Sequence, residues 1–314
     1  MGQKVHSTGF RLGVSQGWDS SWSLDPTQKG HNYRHYLHMD LEIRNIITQL
    51  FASKHGYVGK IGISKNSGTG VVDISVFGYV PGQVIRKAVP GGASAPLSAK
   101  KKLEKQLKKL VIIFNEKYAP DVITLSCVLV KGFVVNRNTK QRRRYKKRKG
   151  QVPKIQRTRL LKGKKPNRFK NRVQRELGQS KTKEYLSLAT KEFGFMSRNK
   201  YFETLLNLAF LVLKSKQPQF LASFLARELG KTRRQRAVVN HTDAICAFFF
   251  SKMPGVQGIR IQINGRMNKA SRSRKYVTQY GRIPSQTIIR PVQVGFDEAQ
   301  TIFGSMGVKV WLSY

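Results

Sequence analysis

A strongly basic block in the middle of the chain limits what this sequence can fold into. Residues 131–183 contain 22 Lys and Arg side chains and a single acidic residue, Glu176. Such a segment cannot bury enough apolar surface to fold alone. It is either a solvated linker or a segment that becomes ordered on nucleic acid, and its charge density favours the second interpretation. Folded domains are therefore expected on either side of this block.

The charge of the whole chain points to a polyanionic partner. The 314 residues include 59 Lys and Arg against 16 Asp and Glu, a formal net charge of +43. Nucleic acid is the first candidate for the neutralising anion, and a membrane surface is the alternative. The longest strongly apolar run, 205–213, has about half of the ~20 residues that a bilayer span needs. It therefore predicts a buried helix, and we expect no membrane span.

The residues before the basic block predict a compact α/β unit. Ile43, Ile47 and Phe51 recur at helical spacing after Asp40, a good N-cap. In the run that follows, Val72, Ile74 and Val76 alternate with polar residues, as in a half-buried strand. The predicted elements are a helix from Asp40 that ends at Gly56 and Gly59, strands at 60–65 and 71–80, a helix at 99–117 capped by Ser98, and a strand at 121–130.

The residues after the block predict a second α/β domain. Helical patterns lie at 184–195, 200–214, 220–229 and 234–250, and strand patterns lie at 259–264, 274–280, 285–294 and 308–312. In the last strand, Val308 and Val310 alternate with Lys309, so we expect buried valines and an outward Lys309. The fold class is α/β (α+β). The predicted divisions are an arm at 1–38, a first domain at 39–130, a partly disordered or helical basic insertion at 131–215, and a C-terminal domain at 216–314.

Few residues suit catalysis or metal binding. Cys127 and Cys246 lie far apart in apolar runs, which is typical of reduced core thiols and not of a zinc site. His31, His35 and His38 have no cysteine or carboxylate cluster beside them, so a metal is not favoured there. The scattered carboxylates do not suit two-metal phosphodiester cleavage, and nucleotide-binding and hydrolase motifs are absent. We therefore expect no cofactor, no metal and no enzyme; the enzymatic rival is a nuclease or a DNA-repair lyase.

Arginines and aromatic residues supply chemistry for RNA instead. Guanidinium groups donate to phosphates, and aromatic rings stack on exposed bases. Trp18 and Trp22 could stack on RNA or pack on the first domain. Arg233, Arg234 and Arg236 begin a helix whose dipole their charges oppose unless an anion is near. A solvated basic helix start is the alternative interpretation.

Several motifs resemble the bacterial-type small-subunit ribosomal protein 3 family. Residues 1–6 (MGQKVH) and 9–13 (GFRLG) resemble the family's opening, MGQKVHPxGxRLG. Near the other end, 258–266 (GIRIQINGR) resembles GIKVEVSGR, 280–284 (YGRIP) resembles REGRVP, and 304–311 (GSMGVKVW) resembles YGVIGVKVW. Motifs in this order at both ends cover about 1–130 and 215–314.

The resemblance implies a first domain with a KH fold, whose GxxG loop can hold RNA backbone. Here Arg86 and Lys87 follow residues 81–85 (PGQVI) where the glycine pair is expected, so they would contact phosphate by charge alone. A long insertion between the domains is typical of mitochondrial members of the family. The direct start at MGQKVH suggests synthesis inside the organelle. The implied location is the mitochondrial matrix, in the mitoribosome, with a bacterial-type cytoplasm or a plastid as alternatives.

In function, the resemblance implies a structural constituent of the small-subunit head that binds small-subunit rRNA and lines the mRNA entry channel. The implied neighbours are small-subunit proteins four, five, ten and fourteen. The rival is a free RNA-binding chaperone or mRNA-binding factor with a KH-like fold. Arg233, Arg234 and Arg236 are the candidates for contact with mRNA. The candidates for contact with rRNA are Lys4, Arg11, Arg86, Lys87, Arg142, Arg143, Arg144, Lys146, Lys147, Arg148, Arg266, Arg272, Arg274, Lys275 and Arg282.

Overall fold

A computed structural model describes most of the chain outside the basic block. The described residues are 5–22, 32–66, 71–81, 95–118, 122–131, 184–194, 196, 199, 201–253 and 255–314. Residues 1–133 and 198–314 form one compact unit, and residues 134–197 form a second. In the second unit, the described part is a short helix, α3, at 184–192. The predicted disorder of residues 131–183 falls almost entirely outside the described residues.

The N-terminal part of the first unit is a four-stranded sheet with two long helices. Its elements are β1 (Ser20–Ser21), α1 (Asn32–Ser53), β2 (Tyr57–Asn66), β3 (Val71–Val80), α2 (Ala95–Lys117) and β4 (Val122–Lys131). The strand order is β1-β2-β3-β4, in which β2 and β3 are antiparallel and the two outer pairs are parallel. The predicted order of helix, two strands, helix and strand is confirmed.

The alternation in β3 decides which face of this sheet is buried. Val72, Ile74 and Val76 are each at most 1% exposed, whereas the residues between them are exposed. The stripe of α1 that includes Ile43 and Ile47 joins the same core, as does a stripe of α2. Burying side chains of this size contributes about 1.5–3 kcal/mol each, so the pattern holds both helices on one face of the sheet.

Three expectations about local boundaries in this part were wrong. Asp40 is not an N-cap, because α1 begins at Asn32; Asp40 is buried and accepts hydrogen bonds from Ser20, Trp22 and Arg44. Trp22 therefore packs on the domain. Ser98 lies inside α2, and Gly59 lies inside β2 at a break in register.

The C-terminal part is three helices followed by four antiparallel strands. Its elements are α4 (Phe202–Ser215), α5 (Gln219–Lys231), α6 (Gln235–Lys252), β5 (Gly258–Gly265), β6 (Arg274–Gly281), β7 (Val292–Thr301) and β8 (Gly304–Ser313). The strand order is β6-β5-β8-β7. Val308, Val310 and Leu312 are fully buried and Lys309 is exposed, as the alternation predicts. The mixed α/β fold class is confirmed.

The apolar run that predicted a buried helix lies in α4. Every residue of that helix from Phe202 to Leu213 is buried. The helix belongs to the first compact unit, although the sequence places residues up to 215 in the insertion. Across the part of the chain that the structure describes, no helix is both long enough and apolar enough to span a bilayer.

Helix α5 joins the two sheets of the first unit. Phe220 lies so close to Gly59 of β2 that a Cβ there would collide with its ring. Arg227 donates from Nη2 to the carbonyl of Gly56 at 3.0 Å, and its guanidinium lies 4.3 Å from the ring centroid of Tyr57. Burial raises the pKa of Tyr57 to about 12. The two parts of the unit therefore share a packed boundary.

Candidate nucleic-acid interface

The start of α6 is attached to the β5–β6 hairpin by two side-chain amides. Gln235 accepts a hydrogen bond from the backbone N–H of Asn268 at 2.9 Å. In return, the Asn268 side chain accepts one from the backbone N–H of Arg236 at 3.4 Å. Gln235 is only 5% exposed and also donates to the carbonyl of Leu229. These bonds hold two segments together that lie more than thirty residues apart in sequence.

Both of the segments that these bonds join carry exposed cations, and we call this place the α6–hairpin corner. Its exposed members are Arg233, Arg234, Arg236, Lys269, Arg272, Arg274 and Lys275. Neither 229–242 nor 258–296 contains an acidic residue, so no carboxylate from these segments neutralises the corner. The structure thus brings together the three arginines proposed for mRNA and three of the cations proposed for rRNA.

The hairpin itself is shaped by backbone turns and by Arg266. Asn268 and Lys269 have φ angles of 52° and 65°, in the left-handed region that non-glycine residues seldom adopt. The half-buried Arg266 donates from Nε to the carbonyl of Ala270 at 2.9 Å, and its guanidinium lies 5.7 Å from the ring centroid of Phe303. Arg266 therefore supports the loop, which presents its neighbours to solvent.

The corner suits the phosphates of a nucleic acid. Arg234 is the N-cap residue of α6, and its own side chain makes no capping hydrogen bond. Three cations beside the positive end of a helix dipole oppose the helix, whereas an anion there would be stabilising. Contacts of this kind hold a phosphate backbone and carry no sequence information.

Arg11 does not belong to this surface, and its expected contact with RNA is corrected. It is fully buried, and its guanidinium donates to carbonyl oxygens of Ser7 at 2.9 Å and of Pro284, Thr287 and Arg290 at 2.7–2.8 Å. Burial lowers the pKa of Arg11 from its ordinary value. These bonds also explain why the predicted strand at 285–294 was misplaced. The carbonyls of this stretch turn toward Arg11, and β7 begins only at Val292.

The other candidate residues lie away from the corner or cannot be placed. Arg282 is exposed, but it follows the far end of β6, and eight residues of strand separate the ends of β6 by roughly 27 Å. The candidates outside the described residues are Lys4, Arg86, Lys87, Arg142, Arg143, Arg144, Lys146, Lys147 and Arg148.

This part of the chain is similar to known proteins. Residues 231–312 match the family model described as "Ribosomal protein S3, C-terminal domain". Small ribosomal subunit protein uS3 of Borrelia turicatae is 37% identical over 98 residues, 31% of this chain and 35% of that protein. The uS3c protein of Ostreococcus tauri is 34% identical over 106 residues, 34% of this chain and 50% of that protein. These matches support a relationship between this chain and the ribosomal protein S3 family.

A weaker match extends along nearly the whole chain. The uS3 protein of Leuconostoc citreum is 25% identical over 314 residues, covering 99% of this chain and 94% of that protein. At the higher identities, the chain spans about a third to a half of the relatives' length. All of these relatives are ribosomal proteins, a structural class without catalytic activity, in agreement with the expectation of no enzyme. The S3 match includes every residue of the α6–hairpin corner.

Among the residues that the structure describes, groups with other chemistry do not assemble into a site. Cys246 is buried, and burial raises the pKa of its thiol to about 12, so the thiolate is disfavoured. Cys127 is half-buried in β4, and His35 and His38 are exposed on α1. Within the described ranges, no three His, Cys, Asp or Glu side chains are grouped so as to hold a metal ion.

Sequence reasoning missed the residues that build the corner. Gln235 and Asn268 carry no local signal, because their partners come from distant segments. Lys269 lies in the S3-like stretch but outside the short motifs that resemble the family. Its proximity to Arg233 and Arg234 follows only from the bonds between α6 and the hairpin.

Proposed function

We propose that this chain is a structural constituent of the small ribosomal subunit head, where it binds small-subunit rRNA and lines the mRNA entry channel. The observation that supports this proposal is the α6–hairpin corner, a cluster of exposed cations in the stretch that matches the S3 C-terminal domain. The net charge of +43 supports a docking mechanism that begins with electrostatic attraction to RNA. The basic insertion then becomes ordered on rRNA, whereas the arm is already held on the folded unit through Arg11 and Trp22.

Within the corner, Arg233, Arg234 and Arg236 are the residues that we assign to mRNA. They lie within four positions around the first turn of α6, and all three are exposed. A strand moving past this turn meets at least two guanidinium groups at once. Because phosphates carry no sequence information, such contacts act on any message. The exposed hairpin cations Arg272, Arg274 and Lys275 are then assigned to rRNA.

The decisive experiment replaces Arg233, Arg234 and Arg236 together with Ala. Subunit assembly is expected to remain nearly normal, whereas translation of messages with stable structure near the entry side is impaired. The matched control replaces three exposed lysines elsewhere, Lys54, Lys214 and Lys252, with Ala, and it should translate both kinds of message normally.

Two other results of this experiment contradict the assignment. If the arginine variant fails to assemble, the three residues anchor rRNA instead of facing the message. If it assembles and reads structured and unstructured messages equally well, the arginines are a solvated surface.

The remaining parts of the proposal concern the N-terminal part, the compartment and the neighbours. The order of helix, two strands, helix and strand supports a KH-like domain in which Arg86 and Lys87 contact phosphate by charge. The proposed location is the mitochondrial matrix, and the proposed neighbours are small-subunit proteins four, five, ten and fourteen. Sedimentation of mitochondrial extracts tests the location. Cross-linking of the protein in the sedimented subunits tests its neighbours and the phosphate contact of Arg86 and Lys87. Migration apart from small subunits would instead favour a free RNA-binding chaperone.

A further inference from the structure

The C-terminal sheet has one face buried by its core and a second face that carries polar and aromatic side chains. On the buried face, Ile259, Ile261 and Ile263 of β5 are at most 3% exposed. The side chains of β5 between them point the other way, as alternate residues of a strand must. Strand pairing then identifies the residues of this second face, which we call the open face. Each of its rows crosses the strands in the order β6, β5, β8, β7. The rows are Gln279, Arg260, Trp311 and Val294; Val277, Gln262, Lys309 and Phe296; and Lys275, Asn264, Gly307 and Glu298.

The open face is accessible around Phe296, Val277 and Lys309, although Gln262 in the same row is only 8% exposed. Phe296 is 47% exposed and Val277 is 39% exposed. Lys309 is exposed between them, and Trp311 in the neighbouring row is half-buried. The aromatic rings therefore stand on a surface that a flat ligand can reach.

Each ring on the open face has a cation close to it. The guanidinium of Arg260 lies 5.4 Å from the ring centroid of Trp311, and the ammonium of Lys309 lies 5.7 Å from that of Phe296. The Nε of Arg260 is buried without a hydrogen-bond partner. Arginine planes and aromatic rings both stack on bases, so the guanidinium plane of Arg260 adds to this surface although its buried Nε is not exposed to a ligand.

A gap lies beside one of these rings. Gly307 stands next to Phe296 on the open face, and a Cβ built on Gly307 would come within 3.9 Å of the Phe296 ring and of no other group. The amide of Asn264 and the cation of Lys275 occupy the same row. Lys275 also belongs to the α6–hairpin corner, so the two surfaces are continuous.

We propose that the open face binds single-stranded RNA, with bases stacked on Phe296 and Trp311 and phosphates held by Lys309, Arg260 and Lys275. The proposal deepens the proposed function and rests on it only for RNA as the ligand. The strand runs from the α6–hairpin corner onto the sheet. Binding tolerates any sequence, because stacking needs only the face of a base.

The chemistry of the face favours RNA over a protein partner. Three cations, Arg260, Lys275 and Lys309, face one carboxylate, Glu298. The centres of protein interfaces are depleted in lysine and acidic residues and enriched in contiguous apolar area. Here a lysine stands at the centre of the middle row, and amide groups separate the apolar side chains. Charge complementarity therefore selects a polyanion that also offers flat rings.

The test uses the full-length chain and a fluorescent single-stranded RNA of about twelve nucleotides, a length within the range that such surfaces bind. Replacing Phe296 with Ala should weaken binding about tenfold, the order expected from the loss of one stacked base. Replacing Phe296 with Leu should weaken it similarly, because an apolar side chain remains but the ring is lost. The matched control is Phe77→Ala, since Phe77 is a 38% exposed phenylalanine on the other sheet, and it should bind as the wild type does.

A second readout separates stacking from general charge attraction. In the assembled subunit, thiouridine-labelled RNA should cross-link to peptides that contain Phe296 or Trp311, and thermal melting should show that the variants fold. Equal binding by Phe296→Ala and wild type, or cross-links from the open face to a neighbouring protein, would overturn the proposal. These failures leave the proposed function intact, because that function is tested separately by assembly and by the arginine variant.

Discussion

The outward faces of the two sheets differ in chemistry although each sheet has four strands. In the N-terminal sheet, short polar residues fill the outward rows Ser64–Asp73–Thr124 and Gly62–Ser75–Ser126. The Thr124 hydroxyl donates to the carboxylate of Asp73, so this face satisfies part of its own polarity.

The C-terminal sheet presents cations and rings in equivalent positions. Arg260 and Lys309 occupy central strands, beside Trp311 and Phe296. Each sheet also has an exposed phenylalanine with a lysine opposite it in the register, but the two lysines differ. Lys60, opposite Phe77, pairs with Asp19 at 2.9 Å, whereas no carboxylate within 4 Å of Lys309 is found among the described residues.

The comparison teaches that sheet architecture alone does not make a surface for RNA. Both sheets bury one face under helices with the same alternation of apolar residues. What separates them is the charge left unpaired on the outward face.

The largest effect is expected from ending the chain at Gly307. This removes most of β8, which lies between β5 and β7 in the sheet order. Each of the buried residues Val308, Val310 and Leu312 contributes about 1.5–3 kcal/mol, and both neighbouring strands lose their ladder. The C-terminal sheet should unfold and incorporation into subunits should fail. Sedimentation and limited proteolysis measure this, and removal of Tyr314 alone is the control. Normal assembly of the shorter chain would show that the strand is dispensable.

A large effect on stability is expected from Arg11→Met. The change leaves carbonyls of Ser7, Pro284, Thr287 and Arg290 without their donor. Losing hydrogen bonds to a buried charged group should lower the free energy of unfolding by about 3 kcal/mol. Urea denaturation measures the loss, and hydrogen exchange should increase in residues 284–290.

The control for this change is Arg282→Met, because Arg282 is exposed and should change stability by less than about 0.5 kcal/mol. If both variants unfold at the same urea concentration, Arg11 does not anchor the arm.

A moderate effect is expected on the salt dependence of RNA binding. Replacing Lys309 or Lys275 with Ser should make the log–log salt slope less steep by about 0.7 per lost phosphate contact on a single strand. Lys60→Ser should leave the slope unchanged, since Lys60 already pairs with Asp19. Fluorescence titrations at several salt concentrations provide the slopes. An equal change in all three variants would remove the distinction between the two sheets.

The smallest effect concerns the buried side of the C-terminal part. His241 on α6 is hydrogen-bonded through Nδ1 to the Tyr201 hydroxyl at 2.7 Å, and burial lowers the pKa of His241 below 6.5. The unfolded chain therefore binds a proton at a higher pH than the folded chain does. Stability should fall as the pH drops through the ordinary histidine range, and it should fall less in His241→Gln. Melting temperatures at about pH 8 and about pH 5.5 test this, and identical pH profiles would contradict it.

Strongly periodic segments could be predicted from the sequence, and boundaries set by distant partners could not. The run that includes Leu205 and the alternation around Lys309 gave correct elements, because burial repeats with the period of the helix or strand. The start of α1 was missed because Asp40 is a good N-cap locally but is held by Ser20 and Arg44. β7 was misplaced because Arg11 binds the carbonyls before it.

The candidate site was predictable in composition but not in geometry. The sequence shows three arginines at 233–236 and a basic hairpin, and motif resemblance points to RNA. The amide bonds of Gln235 and Asn268, which join the two groups, leave no trace in either local pattern. The rows of the open face are hidden for the same reason, since register across four strands depends on pairing over long sequence distances.

The sequence by itself determined the net charge of +43, the basic block and the two α/β parts on either side of it. These properties follow from composition and from local periodicity. Only the tertiary structure decided what each cation does. Arg11 and Arg233 have the same guanidinium group, yet one is buried among carbonyls and the other is exposed at the corner. The physical reason is that a buried guanidinium requires several acceptors at once, and distant parts of the chain supply them only after folding.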